Sequence, residues 1–242
     1  MSLLDMHLTK KTKSTRNFGE TYKMKNVLFC VLHTHHYRYR YNSIMSTWGE
    51  NKDIIFYADY DDPEIKNIIK VTNNDSYHSN EEKNINVFKI LNRQFNNYDW
   101  YFFCDDDTFV NTKNLNDLIN SEINTDHVHG LVANSWKDKS LWYCGGGAGY
   151  LVSNNILTNY LCDAVNFSTG YSDVSVGLNC RKFNIGLSHH EGFNSFPPFD
   201  ERNISKVQSV DRAITFHYIK TLEHMQALYS DLNNKGGSDE NR

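Results

Sequence analysis

Tyr98-Asp99-Trp100-Tyr101-Phe102-Phe103-Cys104-Asp105-Asp106-Asp107-Thr108-Phe109-Val110 is an apolar run that passes directly into three consecutive carboxylates. The apolar, aromatic-rich stretch from Trp100 to Cys104, bounded by polar residues, predicts a buried strand. Adjacent like charges at its carboxyl end raise one another's pKa unless a cation or donors compensate. Ligands of open α/β sheets bind at that end of the strands. A hard divalent ion that also grips a diphosphate would supply the compensation. The blander reading of the triplet is a solvated acidic turn.

Working outward, Val27 to Leu32 and Ile54 to Ala58 read as two further strands. Ile85, Phe88, Leu91 and Phe95 recur at helical spacing just before the acidic strand. Ile156, Leu157, Tyr160, Leu161 and Ala164 repeat that spacing after Ser153, an expected N-cap. Leu222, Met225, Tyr229 and Leu232 do so again near the end. Strands alternating with helices predict an α/β sheet covered on both faces. No repeat or Pro-rich linker divides the chain, so one domain is expected over residues 26–232. Residues 1–25 and 233–242 read as tails.

A chain of 242 residues, 39% hydrophobic and 14% aromatic, can bury a substantial core. Twenty-five basic against 29 acidic residues give a formal charge of -4, which offers no global field for nucleic acid. Val27 to Leu32 is far too short to span a bilayer, and no other run is a membrane segment or signal peptide. Five cysteines without a CxxC pair suggest a reducing compartment. Sequons at Asn74, Asn166 and Asn203 arise readily by chance in an Asn-rich chain.

The acidic stretch resembles the signature of the Fringe and core 1 β-1,3-galactosyltransferase group, the inverting β-1,3-glycosyltransferases of glycosyltransferase family 31. Three further segments follow in that family's order: Gly146-Gly147-Ala148-Gly149-Tyr150, Ser172-Asp173-Val174-Ser175-Val176-Gly177 and Thr215-Phe216-His217-Tyr218. The resemblance runs from about Val27 to Leu232. It implies an A-type glycosyltransferase fold, a single α/β/α nucleotide-binding sandwich with a mixed, mainly parallel sheet. It also implies a UDP-sugar donor, a glycan or glycoconjugate acceptor, and Mn2+ or another divalent cation.

By the same resemblance Asp107 and His217 are the metal ligands, and Asp105 and Asp106 lie nearer the nucleotide ribose. Asp173 is the base that takes the acceptor's proton. Thr34 and Arg40 line the uridine pocket, Asp59 faces the base, and Gly146 and Gly147 let backbone approach the sugar. His190 is a second candidate for the metal, since Fringe-type members take a histidine from about there. The loops from Trp136 to Tyr143 and from His189 to Phe199 would set the acceptor. Trp142 and Tyr143 read equally as a sugar-facing surface or as core. His33, His35 and His36 lack an evident acid to orient them as ligands and read as a polar loop facing the nucleotide.

Alternatives remain at this point. A haloacid-dehalogenase-type phosphohydrolase also begins Asp-x-Asp after a strand, but Phe109 stands where Thr or Val is required. A non-catalytic relative is a second alternative, although such relatives tend to lose the acidic triplet. A member of the family without an anchor would work in a cytoplasm, or as the soluble luminal part of a Golgi-type enzyme.

Overall fold

A computed structural model of the chain describes residues 25–202 and 209–236. The expected N-terminal tail, except Lys25, the Asn203 sequon and residues 237–242 lie outside the described residues. The first half contains β1 (Val27–Leu32), α1 (Arg40–Met45), β2 (Ile54–Ala58), β3 (Ile68–Lys70), α2 (Asn80–Gln94), β4 (Trp100–Asp105), β5 (Phe109–Val110) and α3 (Thr112–Asn120). Then follow β6 (His127–Gly130), β7 (Val132–Asn134), β8 (Trp142–Cys144), β9 (Tyr150–Ser153) and α4 (Asn154–Asn159). The chain continues through α5 (Ser172–Lys182), β10 (Gly186–His189), β11 (Phe193–Asn194), β12 (Thr215–Phe216) and α6 (Leu222–Gly236). The apolar spacing of α6 stops at Leu232, yet the helix continues to Gly236, so its last turn occupies the segment expected to be a tail.

The main sheet has the order β10-β6-β9-β4-β1-β2-β3. β1 pairs parallel with β2 and β4, β2 with β3, and β6 with β10, while β9 runs antiparallel to β4 and β6. Alternate side chains of the central strands point to opposite faces. Phe29, Val31, Ile54, Phe56, Trp100, Phe102 and Cys104 join a core that includes Ile44, Trp48, Leu115, Ile119 and Met225 from the α1, α3 and α6 side. Leu28, Cys30, Ile55, Tyr57, Tyr101 and Phe103 join a second core with Val87, Phe88, Leu91, Ile156, Leu157 and Val176 from α2, α4 and α5. This is the expected α/β/α sandwich with a mixed, mainly parallel sheet, with the continuous apolar strands that burial on both faces requires. No helix among the described residues is long and apolar enough to cross a membrane.

The N-cap of α4 is the one read from sequence. Ser153 Oγ accepts from the Ile156 N–H at 3.2 Å and donates to the Thr125 carbonyl at 2.5 Å. Ser153→Ala therefore leaves an N–H at the helix start and the Thr125 carbonyl without this partner. It should lower unfolding stability by about 1–2 kcal/mol, read as a lower urea midpoint with unchanged slope.

Candidate active site

Parallel register fixes the site. Leu32 of β1 sits beside Asp105 of β4 and Tyr57 of β2, so the residues that leave these strands emerge together. His33 Nδ1 lies 2.7 Å from one oxygen of Asp106, and Arg40 donates to the other at 2.6 Å. Asp106 is thus fully engaged by protein groups. Arg40 also lies 3.5 Å from Asp107, and it stacks its guanidinium on the Tyr37 ring at 4.0 Å.

The other two acids face a histidine. His217 Nε2 lies 3.1 Å from Asp107 Oδ1 and 3.5 Å from Asp105 Oδ2, and one donor atom from each residue falls within 4.8 Å of the others. His217 arrives there because β12 pairs antiparallel with β5, placing Phe216 opposite Phe109. The His217 N–H donates to the Asn194 carbonyl, and the Ile219 N–H to the Asp107 carbonyl at 2.8 Å. Tyr218, held at φ +62°, stacks on the His217 ring at 3.9 Å. Burial alone would lower the His217 pKa, but the hydrogen bonds and charges of Asp105 and Asp107 outweigh it and raise it to about 9. Burial likewise opposes ionisation of Asp107, yet His217, Arg40 and Lys220 hold its carboxyl below the ordinary range.

His190 is elsewhere. Its Nε2 lies 2.9 Å from His129 Nδ1, and it lines a separate recess with Asn114 and Asp117. Burial beside His129 and His189 pulls its pKa down to about 4. Among the described residues, His217 is the histidine that groups with Asp105 and Asp107.

A cavity of about 590 Å³ opens onto this group and is lined by Thr34, His36, Arg40, Tyr77, Lys83 and all three acids. Thr34 Oγ1 and His33 Nε2 on its wall are buried without a protein partner. Asp59 does not line the cavity. Its carboxylate is held by Lys83 Nζ at 3.2 Å and His35 Nδ1 at 3.1 Å, and Lys83 stands at the wall in its place. Sequence reasoning passed over Lys83, although it shares the helical stripe of Val87 and Leu91 at four-residue intervals. The acids that orient His33 and His35 come from other strands, which is why the local sequence gave no sign of them. His35, His36 and Asp75 form a second, exposed group of possible ligands at the rim.

Asp173 lies in the first turn of α5. Its Oδ2 accepts from the Gly146 N–H at 3.1 Å and its Oδ1 from its neighbour Val174 N–H at 2.8 Å. Burial raises its pKa, the two N–H donors oppose the rise, and the negative charge of Asp105 adds to it.

The Fringe-like family profile matches residues 22–225, most of the chain. The chain belongs to the Fringe-like family. That assigns it to the glycosyltransferases, in agreement with its fold. Among solved structures it is similar to a glycosyltransferase involved in the glycosylation of the major capsid of PBCV-1, at 14% identity over 84% of this chain and 98% of that one, with a TM-score of 0.49. It is also similar to the bifunctional glycosyltransferase WbbM, at 9% identity and a TM-score of 0.49, over 85% of this chain and half of that one.

In this Fringe-like chain the glycines work differently from expectation. Gly146 and Gly147 do not line the cavity. A Cβ on Gly147 would lie 2.1 Å from His217 Cε1, and one on Gly146 would sit 3.4 Å from Asp173 Cβ. The bareness of Gly147 admits the His217 ring, whereas Gly146 has room for a Cβ in ordinary contact with Asp173; the two side chains thus lie against adjacent residues of one strand connection. The Gly147 carbonyl in turn accepts from Thr108 Oγ1 at 2.8 Å, tying the connection to the acidic loop. Trp142 is exposed and Tyr143 half-buried on β8, where Tyr143 packs against Gly177 of α5. Gly147→Ala should therefore push the imidazole off the acids. If these three side chains hold Mn2+, as the resemblance implies, its affinity should fall 10-fold or more, read by paramagnetic titration of free Mn2+, in a protein whose far-UV circular dichroism is unchanged.

Proposed function

We propose that this chain is an inverting, divalent-metal-dependent transferase that moves a hexose or N-acetylhexosamine from UDP to a glycan hydroxyl, forming a β-1,3 linkage. The observation that carries the proposal is the convergence of Asp105, Asp107 and His217 on one point at the mouth of the cavity. Two carboxylates and an imidazole suit Mn2+, which takes oxygen and nitrogen donors. The three side chains would hold it, and when bound it would neutralise the charge that collects on the departing diphosphate.

The remaining roles belong to the chain's own groups. The unpartnered Thr34 hydroxyl and the cavity walls at His36, Tyr77 and Lys83 offer polar and aromatic contacts to a nucleotide. Arg40, on the cavity wall, neutralises Asp106 and helps to hold Asp107 ionised. Asp173 accepts the acceptor hydroxyl's proton as that oxygen bonds to the anomeric carbon and the bond to the diphosphate oxygen breaks, releasing UDP. Its elevated pKa brings it toward the range in which a base is effective. The acceptor side is supported by exposed Trp136, Trp142 and Tyr171, whose faces can stack on sugar rings.

UDP release from a panel of UDP-sugars, with and without Mn2+, tests the reading. Asp107→Ala should abolish Mn2+-dependent UDP binding by calorimetry. Asp173→Asn should keep UDP affinity and lose about 10²–10⁴-fold in turnover; an active Asp173→Asn enzyme overturns the base assignment.

The pH profile is a separate check. A base must be ionised, and burial raises the pKa of Asp173, so turnover should rise with pH through an acid limb displaced above the ordinary aspartate value of about 3.9. A limb at or below that value contradicts the assignment.

A further inference from the structure

Glu81 is a buried carboxylate in the first turn of α2 that lies outside the cavity, and its surroundings are unusual. One of its oxygens accepts from the Phe167 N–H at 2.6 Å and the Ser168 N–H at 2.9 Å. The other accepts from the Thr169 N–H at 2.8 Å and the Gly170 N–H at 3.3 Å, with the Thr169 hydroxyl at 3.0 Å. Four consecutive N–H groups thus converge on one side chain. The backbone is bent to do so, with Ser168 at φ +55° and Gly170 at φ +79°. Successive N–H groups turned inward in this way make an anion-binding nest, and here the anion belongs to the protein.

Within the turn the Ser168 N–H also donates to Asn166 Oδ1 at 2.7 Å. Val165, Phe167 and Tyr171 are exposed, so apolar burial does not fix it. Asn179 of α5 clamps its start, donating to the Val165 carbonyl at 3.0 Å and accepting from the Val165 N–H at 2.9 Å. At its end the Thr169 hydroxyl accepts from the Tyr171 N–H at 3.0 Å and lies 2.7 Å from the Tyr171 carbonyl. Two residues later stands Asp173.

We propose that Glu81 is a positioning residue for the transfer step: it locks the 167–170 turn so that Asp173 is presented beside Gly146 at a fixed distance from the metal-binding acids. The inference rests on the reading of Asp173 as the base. Glu81 does not line the cavity. Releasing the turn leaves the cavity and the acids in place and moves the base, so the rate of transfer falls while nucleotide binding does not. A displacement of about 1 Å at a reacting group can cost about 100-fold in rate.

The test uses Glu81→Gln, which presents an amide donor to a nest of donors, together with Thr169→Val and Thr169→Ser. UDP affinity with Mn2+ is measured by calorimetry. KM and kcat for UDP release are measured on UDP-galactose, UDP-glucose and their N-acetyl counterparts, and amide hydrogen exchange is followed over 167–173. Expected for Glu81→Gln is faster exchange in the turn, a kcat lowered about 10- to 100-fold, and UDP affinity and KM within about twofold. Thr169→Val should show the same pattern in smaller degree, and Thr169→Ser, which keeps the hydroxyl, should restore wild-type turnover. A Glu81→Gln protein with a loosened turn and wild-type kcat overturns the proposal, as does parallel loss of UDP binding and kcat. Should Glu81→Gln not fold, the Thr169 pair decides: equal turnover of the valine and serine variants overturns it. Wild-type turnover of Asp173→Asn identifies the base reading as the part that failed.

Discussion

Three adjacent carboxylates at the end of a buried strand repel one another in a medium that screens poorly, and the site is organised around dividing them. Asp106 is taken out of the group by His33 and Arg40, which occupy both its oxygens at 2.7 and 2.6 Å. Once it is satisfied, Asp105 and Asp107 can face the cavity with His217 between them. The arrangement depends on the parallel register of β1 and β4, which aligns Leu32 with Asp105 and delivers His33 to Asp106. A slip of one residue would turn every side chain of the strand to the opposite face.

From that division the remaining parts are secured by backbone contacts more than by side-chain packing. The Ile219 N–H on the Asp107 carbonyl fixes the chain after His217, and the Trp48 indole N–H on the Thr108 carbonyl fixes the chain after the acids. Thr108 Oγ1 then reaches the Gly147 carbonyl, and Thr215 Oγ1 reaches that of Ala148 at 2.5 Å. The acidic loop, the glycine connection and the histidine segment are therefore one hydrogen-bonded unit. A side chain on Gly147 would meet the His217 ring inside that unit, and the ring would have to leave the acids to make room.

Much of the fold was legible because it follows from periodicity. β1, β2 and β4 are short apolar runs, and α2 and α6 carry apolar residues at spacings of three and four; α4 starts at the expected Ser153 cap but ends at Asn159, short of Tyr160, Leu161 and Ala164. β5, β11 and β12 are two residues each, too short to have a period, yet they bring His217 to the acids. The choice between His217 and His190 was not readable, since it turns on pairing across more than 100 residues. The orienting acids of His33 and His35 are 73 and 24 residues distant, which is why those histidines looked unsupported. Asp59 and Lys83 exchanged places at the cavity wall for the same reason: a buried lysine needs a carboxylate, and the nearest one was the residue expected to face the nucleotide.

The proposed direct displacement would ask opposite things of carboxylates that stand close together, and the environments separate them accordingly. Acids that hold a cation must stay ionised, and Asp107 is held below the ordinary range by His217 and Arg40 against the effect of its burial. The proposed base must accept a proton, and Asp173 is raised by burial, with no cationic side chain among the causes of its shift. Two N–H donors keep it from being raised further, and they come from Gly146 and Val174, fixed points of the strand connection and of α5. Asp105 acts on both sides of this contrast: its charge helps to raise His217 and also adds to the rise of Asp173. A cation bound at Asp105 would weaken that second effect and lower the affinity of Asp173 for a proton. A filled metal site would thus favour the ionised form that the proposed base needs.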